Sequence, residues 1–91
     1  MQGAFLGECM AEKQWYVYIL RCADNTLYTG ITTDPDRRVQ EHNLGTGAKY
    51  TRGRGPVKMV YCEDAESYGA ALRREYRIKQ LSRQEKESLI G

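Results

Sequence analysis

Two runs rich in β-branched and aromatic residues stand near the start of the chain: WYVYILRC, Trp15 to Cys22, and LYTGIT, Leu27 to Thr32, with the turn-formers Asp24 and Asn25 between them. They predict a β-hairpin. That hairpin constrains the fold more than any other feature, because a two-stranded ribbon is marginal in water and must find a further strand and a covering layer. Its register also decides whether the tyrosines can cooperate. A two-residue turn at Asp24-Asn25 pairs Tyr28 with Arg21 and sends Tyr18 to the opposite face, whereas a three-residue turn pairs Tyr28 with Cys22 and leaves Tyr18 on the same face. Asn25 tolerates the left-handed backbone that a three-residue turn uses, so the three-residue turn is the expected one.

The rest of the chain supplies what the hairpin lacks. Asp34 followed by Pro35 reads as an N-cap and a first-turn proline, and Gly45 as the residue that ends a helix from Pro35 to Leu44. Gly45, Gly47, Gly53, Gly55 and Pro56 make the next stretch a loop. Val57 to Cys62 is a third strand, Asp64 a cap for a helix over Ala65 to Gln80, and Ser82 with Glu85 a capping box for a last helix ending near Ile90. The expected fold is therefore α/β of the α+β kind, a small three-stranded antiparallel sheet flanked by helices in the order β-β-α-β-α-α.

Ninety-one residues allow one domain. No apolar run approaches the roughly 20 residues of a membrane span. Met1 to Gln14 lack a basic segment and a long apolar one, so they are read as a disordered leader rather than a secretory signal, with the domain over 15–91. Cys9, Cys22 and Cys62 are odd in number and have no CxxC spacing, which argues against a disulfide framework or a zinc site and fits a reducing cytoplasm. Cys22 and Cys62 are expected to be small core residues. A net charge of +2 identifies no partner, but between Arg37 and Lys58 six bases face one acid, Glu41, which makes that stretch a candidate phosphate-binding surface.

Three groups of residues could carry chemistry. On a helical wheel the second helix places Tyr68, Ala71, Leu72, Tyr76 and Ile78 on one face with Glu75 in its middle. A carboxylate there either pairs with a nearby Arg or Tyr, lies in a shallow groove, or binds a metal ion. Arg38 and His42, four residues apart, stack beside Val39 on the side expected to meet the sheet. They are either a partly exposed helix edge or parts for phosphoryl chemistry, in which a guanidinium neutralises developing charge. Tyr16, Tyr18 and Tyr28 are good strand formers first and candidate phenols second.

YVY at Tyr16 to Tyr18 and YTG at Tyr28 to Gly30, followed by DPDRRVQEHN at Asp34 to Asn43 and LRREYRIKQL around Glu75, together resemble the GIY-YIG nuclease family over about Trp15 to Leu89. The first motif lacks the glycine of the name, the second has Thr29 for its isoleucine, and no late asparagine follows Glu75. The resemblance implies a metal-dependent endonuclease acting on DNA, or RNA, selective for structure rather than sequence, of the kind found in DNA repair. The alternative it leaves is a nucleic-acid-binding module that keeps the fold without turnover. In the nuclease reading Tyr18 and Tyr28 present phenols to the scissile phosphate, Arg38 stabilises its charge, His42 hydrogen-bonds the nucleophile or a phosphate oxygen, and Glu75 holds one Mg²⁺ or Mn²⁺. A phenol with a pKa of about 10 needs nearby cations to act as a base, and Arg38 and the metal would supply them. Lys49, Tyr50, Arg52 and Arg54 of the Gly-rich loop would contact the strand, the bases on phosphates and Tyr50 as a stacking surface. Arg73, Arg74 and Arg77 are assigned to solvation and ion pairing.

Overall fold

A computed structural model describes residues 13–91. The leader falls outside the described residues except for Lys13 and Gln14. Gln14 is engaged in the fold: its side-chain amide donates to the carbonyl of Ala65 at 3.0 Å.

The hairpin forms from β1 (Trp15–Arg21) and β2 (Leu27–Thr32). Its turn is the three-residue one, Ala23 to Asn25: Cys22 N–H donates to Thr26 O at 2.9 Å, and Asn25 takes the left-handed conformation with φ 68°. Asp24 tightens it by accepting from Thr26 N–H at 3.1 Å and Thr26 Oγ1 at 2.6 Å. This centres the loop on Asp24, so Tyr28 sits opposite Leu20 and not Cys22. The register differs from the expected one by two residues, an even number, so Tyr18 and Tyr28 still share a face.

Next come α1 (Pro35–Asn43), a 3₁₀ turn at Lys49–Thr51, β3 (Lys58–Ala65), α2 (Tyr68–Lys79) and α3 (Arg83–Ile90). The sheet is antiparallel in the order β2-β1-β3. β1 is central, and Val17 to Leu20 are buried without alternation because both faces of it are covered. Val17 and Ile19 pack with Ala71 and Ile78 of α2, and residues of α3 close that side. Tyr18, Leu20 and Cys22 pack with Val57, Met59 and Val39 of α1 on the other.

Local chemistry set most boundaries. Asp34 accepts from Arg37 N–H, Gly45 follows α1 with φ 82°, and Ser82 and Glu85 form both bonds of the capping box. The start of α2 differs from expectation. Asp64 does not cap it, because Asp64 and Ala65 pair with Tyr16 and Trp15 in a longer β3; Ser67 is the cap instead, accepting from Ala70 N–H.

The buried stripe of α2 also differs from the wheel. Ala71 and Ile78 are fully buried, whereas Tyr68, Leu72 and Tyr76 are exposed by 53%, 39% and 66%. A three-stranded sheet is too narrow to cover that whole face, so the aromatic side overhangs, with Tyr68 resting on Trp15 at 4.9 Å between ring centroids. Glu75 consequently lies at the margin of the stripe and not in its middle. Arg74, on the other margin, donates two hydrogen bonds to Glu63 of β3. Cys22 is buried as expected, but Cys62 is exposed, since β3 is an edge strand. Among the described residues no helix is long and apolar enough to cross a membrane.

Candidate active site

The central feature is a directed chain of hydrogen bonds between α1, β1 and the Gly-rich loop. The i, i+4 spacing of Arg38 and His42 brings both to Tyr18. Arg38 Nε donates to the Tyr18 hydroxyl at 3.4 Å, and the hydroxyl lies 3.0 Å from His42 Nε2. On its other side His42 Nδ1 is 2.7 Å from Thr51 Oγ1, whose own proton goes to the carbonyl of Ala48 at 2.9 Å. A hydroxyl has one proton, so Thr51 must accept from His42, which puts the imidazole proton on Nδ1 and a lone pair on Nε2. Tyr18 therefore donates to His42. No buried side-chain nitrogen or oxygen among the described residues lacks a partner.

The chain is enclosed. Tyr18, His42 and Thr51 are 1%, 2% and 1% exposed. Burial pushes the Tyr18 phenol up to about 12, outweighing the hydrogen bond from Arg38, which acts in the opposite direction. Burial also lowers the pKa of His42, and the charge of Arg38 lowers it further against a weaker opposing effect of Glu41. Both groups are thus neutral at neutral pH. Arg38 alone does not bring the Tyr18 phenol into the range of a usable base.

Two glycines permit the enclosure. A Cβ on Gly30, opposite Tyr18, would sit 2.6 Å from the Tyr18 hydroxyl, and one on Gly47 would sit 2.6 Å from His42 Nδ1 and 2.9 Å from its backbone Cα.

The more accessible candidates surround this chain. Tyr28, half-buried, lies with its ring centroid 5.3 Å from His42 and 6.4 Å from Tyr18. It opens on a cleft of about 430 Å³ at the β2 edge, lined also by Leu27, Thr29, Tyr50, Lys79 and Lys86. Arg38 is held by Glu41, with Nη1 2.9 Å from Oε1, and opens on a separate cleft of about 280 Å³ between the end of β2 and α1. Tyr18 touches the components of both. Glu75 keeps 18% of its side chain exposed, with Lys79 Nζ at 3.2 Å, and its charge is among the causes that raise the Tyr18 phenol. Glu75 is thus paired with a lysine one helical turn on, not with the Arg or Tyr expected of a nearby partner.

The Gly-rich loop is only partly a free basic surface. Lys49 and Arg52 are exposed, with no carboxylate in ion-pair distance among the described residues. Arg54 is committed to the fold, with Nη1 2.6 Å from Asp24 Oδ2 and its guanidinium 4.5 Å from the Tyr50 ring centroid. The Tyr50 ring also stacks on Tyr28 at 5.7 Å. Arg54 and Tyr50 thus brace the loop against the hairpin while staying partly exposed, Tyr50 by 44%.

A family model described as the GIY-YIG catalytic domain matches residues 14–88. This chain belongs to the GIY-YIG family. The GIY-YIG family is one of nucleases, and its membership implies a nucleic-acid substrate. A UPF0213 protein of Halobacterium salinarum is 61% identical over 75 residues, 82% of this chain and 97% of that one. The UPF0213 protein YhbQ of Escherichia coli is 50% identical over 77 residues, 85% of this chain and 77% of the other. The solution NMR structure of a UPF0213 protein from Bacillus halodurans superposes with a TM-score of 0.55 at 53% identity, covering 85% of this chain and 82% of that one.

GIY-YIG nucleases generally use a divalent metal, and the donor set tests whether this GIY-YIG domain suits one. Among the described residues no three His, Cys, Asp or Glu side chains cluster as an all-protein cage would require. A single partly exposed carboxylate fits a hard cation that keeps most of its own water, the habit of Mg²⁺. Glu75 meets that requirement once Lys79 yields. Sequence reasoning missed Thr51, Glu41, Gly47, Lys79 and Lys86. Of these Glu41, one helical turn from Arg38, and Lys79, one helical turn from Glu75, stood at spacings that could have been read.

Proposed function

We propose that this GIY-YIG domain is a metal-dependent endonuclease that hydrolyses phosphodiester bonds in DNA, selecting structure rather than sequence. The observation that carries the reading is that a phenol and a guanidinium from two elements, Tyr28 of β2 and Arg38 of α1, flank one buried anchor, Tyr18, which also feels the charge of Glu75 on α2. Nothing about an adaptor or a bare structural domain would require a phenol and a guanidinium to be held on either side of one buried tyrosine.

In this reading Tyr28 positions the attacking water and relays its proton, accepting it while passing the phenol's own proton to solvent as the new P–O bond forms, and the old P–O bond breaks with the leaving oxygen taking a proton from solvent. Arg38, oriented by Glu41, meets the negative charge that builds on the phosphoryl oxygens. Glu75 would hold Mg²⁺ or Mn²⁺, which when bound polarises a phosphate oxygen. Tyr18 and His42 act behind these groups as positioning residues: Tyr18 fixes Arg38 by accepting from Nε, and His42 fixes Tyr18. Lys49 and Arg52 contact phosphates and supply affinity without base readout.

The test is cleavage of labelled linear, flapped and branched DNA by the purified protein with Mg²⁺ or Mn²⁺, beside Glu75→Ala and Tyr28→Phe. Metal-dependent cutting lost in both variants supports the reading. Binding without cutting under every condition would replace it with the non-catalytic nucleic-acid-binding module.

A further inference from the structure

The cleft beside Tyr28 is cationic on one wall, and that wall is supplied by two helices that the phosphate contacts so far assigned do not involve. Lys79 comes from the last turn of α2 and Lys86 from α3, while Leu27, Tyr28 and Thr29 of the β2 edge and Tyr50 form the rest of the lining. Lys79 has Glu75 as its counter-ion at 3.2 Å. Lys86 is half-buried, and among the described residues no carboxylate lies within ion-pair distance of it. Of the other basic residues of these helices, Arg74 pairs with Glu63 and Arg83 with Glu87, while Arg73 and Arg77 are exposed rather than half-buried.

A half-buried ammonium without a counter-charge, sharing a cleft with a second ammonium, loses hydration and meets like-charge repulsion. Both costs are offset when an anion occupies the cleft. We infer that Lys86 and Lys79 form a phosphate subsite for the strand flanking the reacting phosphodiester, so that the strand runs along the β2 edge and across α2 and α3 as well as over the Gly-rich loop. This rests on the nuclease reading above and adds a path for the substrate strand. It gives Lys79 two states: bound to Glu75 when the cleft is empty, and turned to a phosphate when nucleic acid arrives, which frees the Glu75 carboxylate at the moment the substrate is in place.

The experiment is fluorescence anisotropy with fluorescein-labelled single-stranded and flapped DNA in EDTA, where no cutting occurs, across about 50 to 200 mM KCl. The proteins are wild type, Lys86→Gln, Lys86→Arg, Lys79→Gln and the loop double variant Lys49→Gln/Arg52→Gln. Each lost phosphate contact should lower the slope of log K against log salt by roughly 0.7 to 0.9. Lys86→Gln and Lys79→Gln should each show that drop with weaker binding, and Lys86→Arg should restore the wild-type slope. Lys86→Gln is the decisive variant, because it leaves the Lys79–Glu75 pair intact. Wild-type binding that is weakened by the loop variant but unchanged in slope by Lys86→Gln overturns the subsite alone. No binding by any form overturns the nucleic-acid reading and the subsite with it.

Discussion

Thr51→Val is the sharpest probe of the buried chain. Valine keeps the shape of the side chain and removes one hydroxyl, at a position only 1% exposed. His42 Nδ1–H, which gives its proton to Thr51 Oγ1 across 2.7 Å, is left facing a methyl group. An orphaned buried donor costs about 1–3 kcal/mol. The imidazole cannot escape by moving its proton to Nε2, because that nitrogen faces the Tyr18 hydroxyl at 3.0 Å. Tyr18 would then accept from both His42 and Arg38 Nε, and its own buried proton would have no acceptor. The orphan moves along the chain without disappearing. A loss of about 2 kcal/mol in a domain of this size lowers the melting temperature by about 8–16 °C. Thermal unfolding followed by circular dichroism measures that loss, and ¹⁵N shifts of the His42 ring report the tautomer in wild type and variant. A variant within about 0.5 kcal/mol of wild type, with the Nδ1–H form unchanged, would refute the assignment of Thr51 as the acceptor.

Other perturbations separate burial, charge and chemistry. Gly47→Ala places a Cβ 2.9 Å from the His42 backbone Cα, which cannot swing aside, so urea denaturation should show a loss of about 1–3 kcal/mol. Glu75→Gln removes only the Lys79 pair, so its urea midpoint should correspond to a change below about 1 kcal/mol while metal-dependent cleavage disappears; a large stability loss would instead make Glu75 structural. Because the folded-state pKa of His42 lies below the ordinary histidine value of about 6.5, the unfolded chain binds more protons there; stability should be full above that value and fall as pH drops through the window beneath it, a dependence His42→Gln should lack in pH-dependent urea titrations. Glu87 acts in a lower window, since its bonds from Arg21 and Arg83 depress it from 4.5 to about 2: the stability it contributes above 4.5 should be lost as pH falls towards 2, and Glu87→Gln should flatten the acid limb of the same titration.

Where the chain's own neighbours decide the structure, it could be read directly. Asp34 before Pro35, Gly45 after α1, and Ser82 with Glu85 act over three or four residues, and each sits where its local chemistry places it. The turn at Asn25 is equally local. The start of α2 was not, because Asp64 and Ser67 are both good caps and the choice between them is made by strand pairing with Trp15 and Tyr16, some fifty residues away. The exposed side of α2 depended on the width of a sheet that no helical wheel contains. In the candidate site, Arg38 and His42 were visible as a spaced pair, and Glu75 as an out-of-place carboxylate. Thr51 had no such mark: its contact with His42 crosses a glycine loop that carries no periodicity, and its role emerges only when Gly47 lets that loop close on the imidazole.

The two tyrosines that carry the family resemblance do different physical work, and the difference has a consequence for how this domain tolerates change. Tyr18 sits on the central strand with both flanking elements packed on it, so its hydroxyl had to find partners inside the protein, and it found them in Arg38 and His42. Tyr28 sits on an edge strand, where the same residue type keeps a face towards solvent. The central strand therefore supplies a fixed polar anchor, and β2, α1 and α2 each bring one more accessible group to it. Positioning of this kind is sensitive to small displacements, since catalytic geometry degrades over distances of about 1 Å. A defect in the buried chain of Tyr18, His42 and Thr51 should thus reduce stability and activity together, whereas a defect in Tyr28 or Glu75 should reduce activity with the fold intact. The ratio of the two losses, variant by variant, distinguishes a residue that holds the site from one that acts in it.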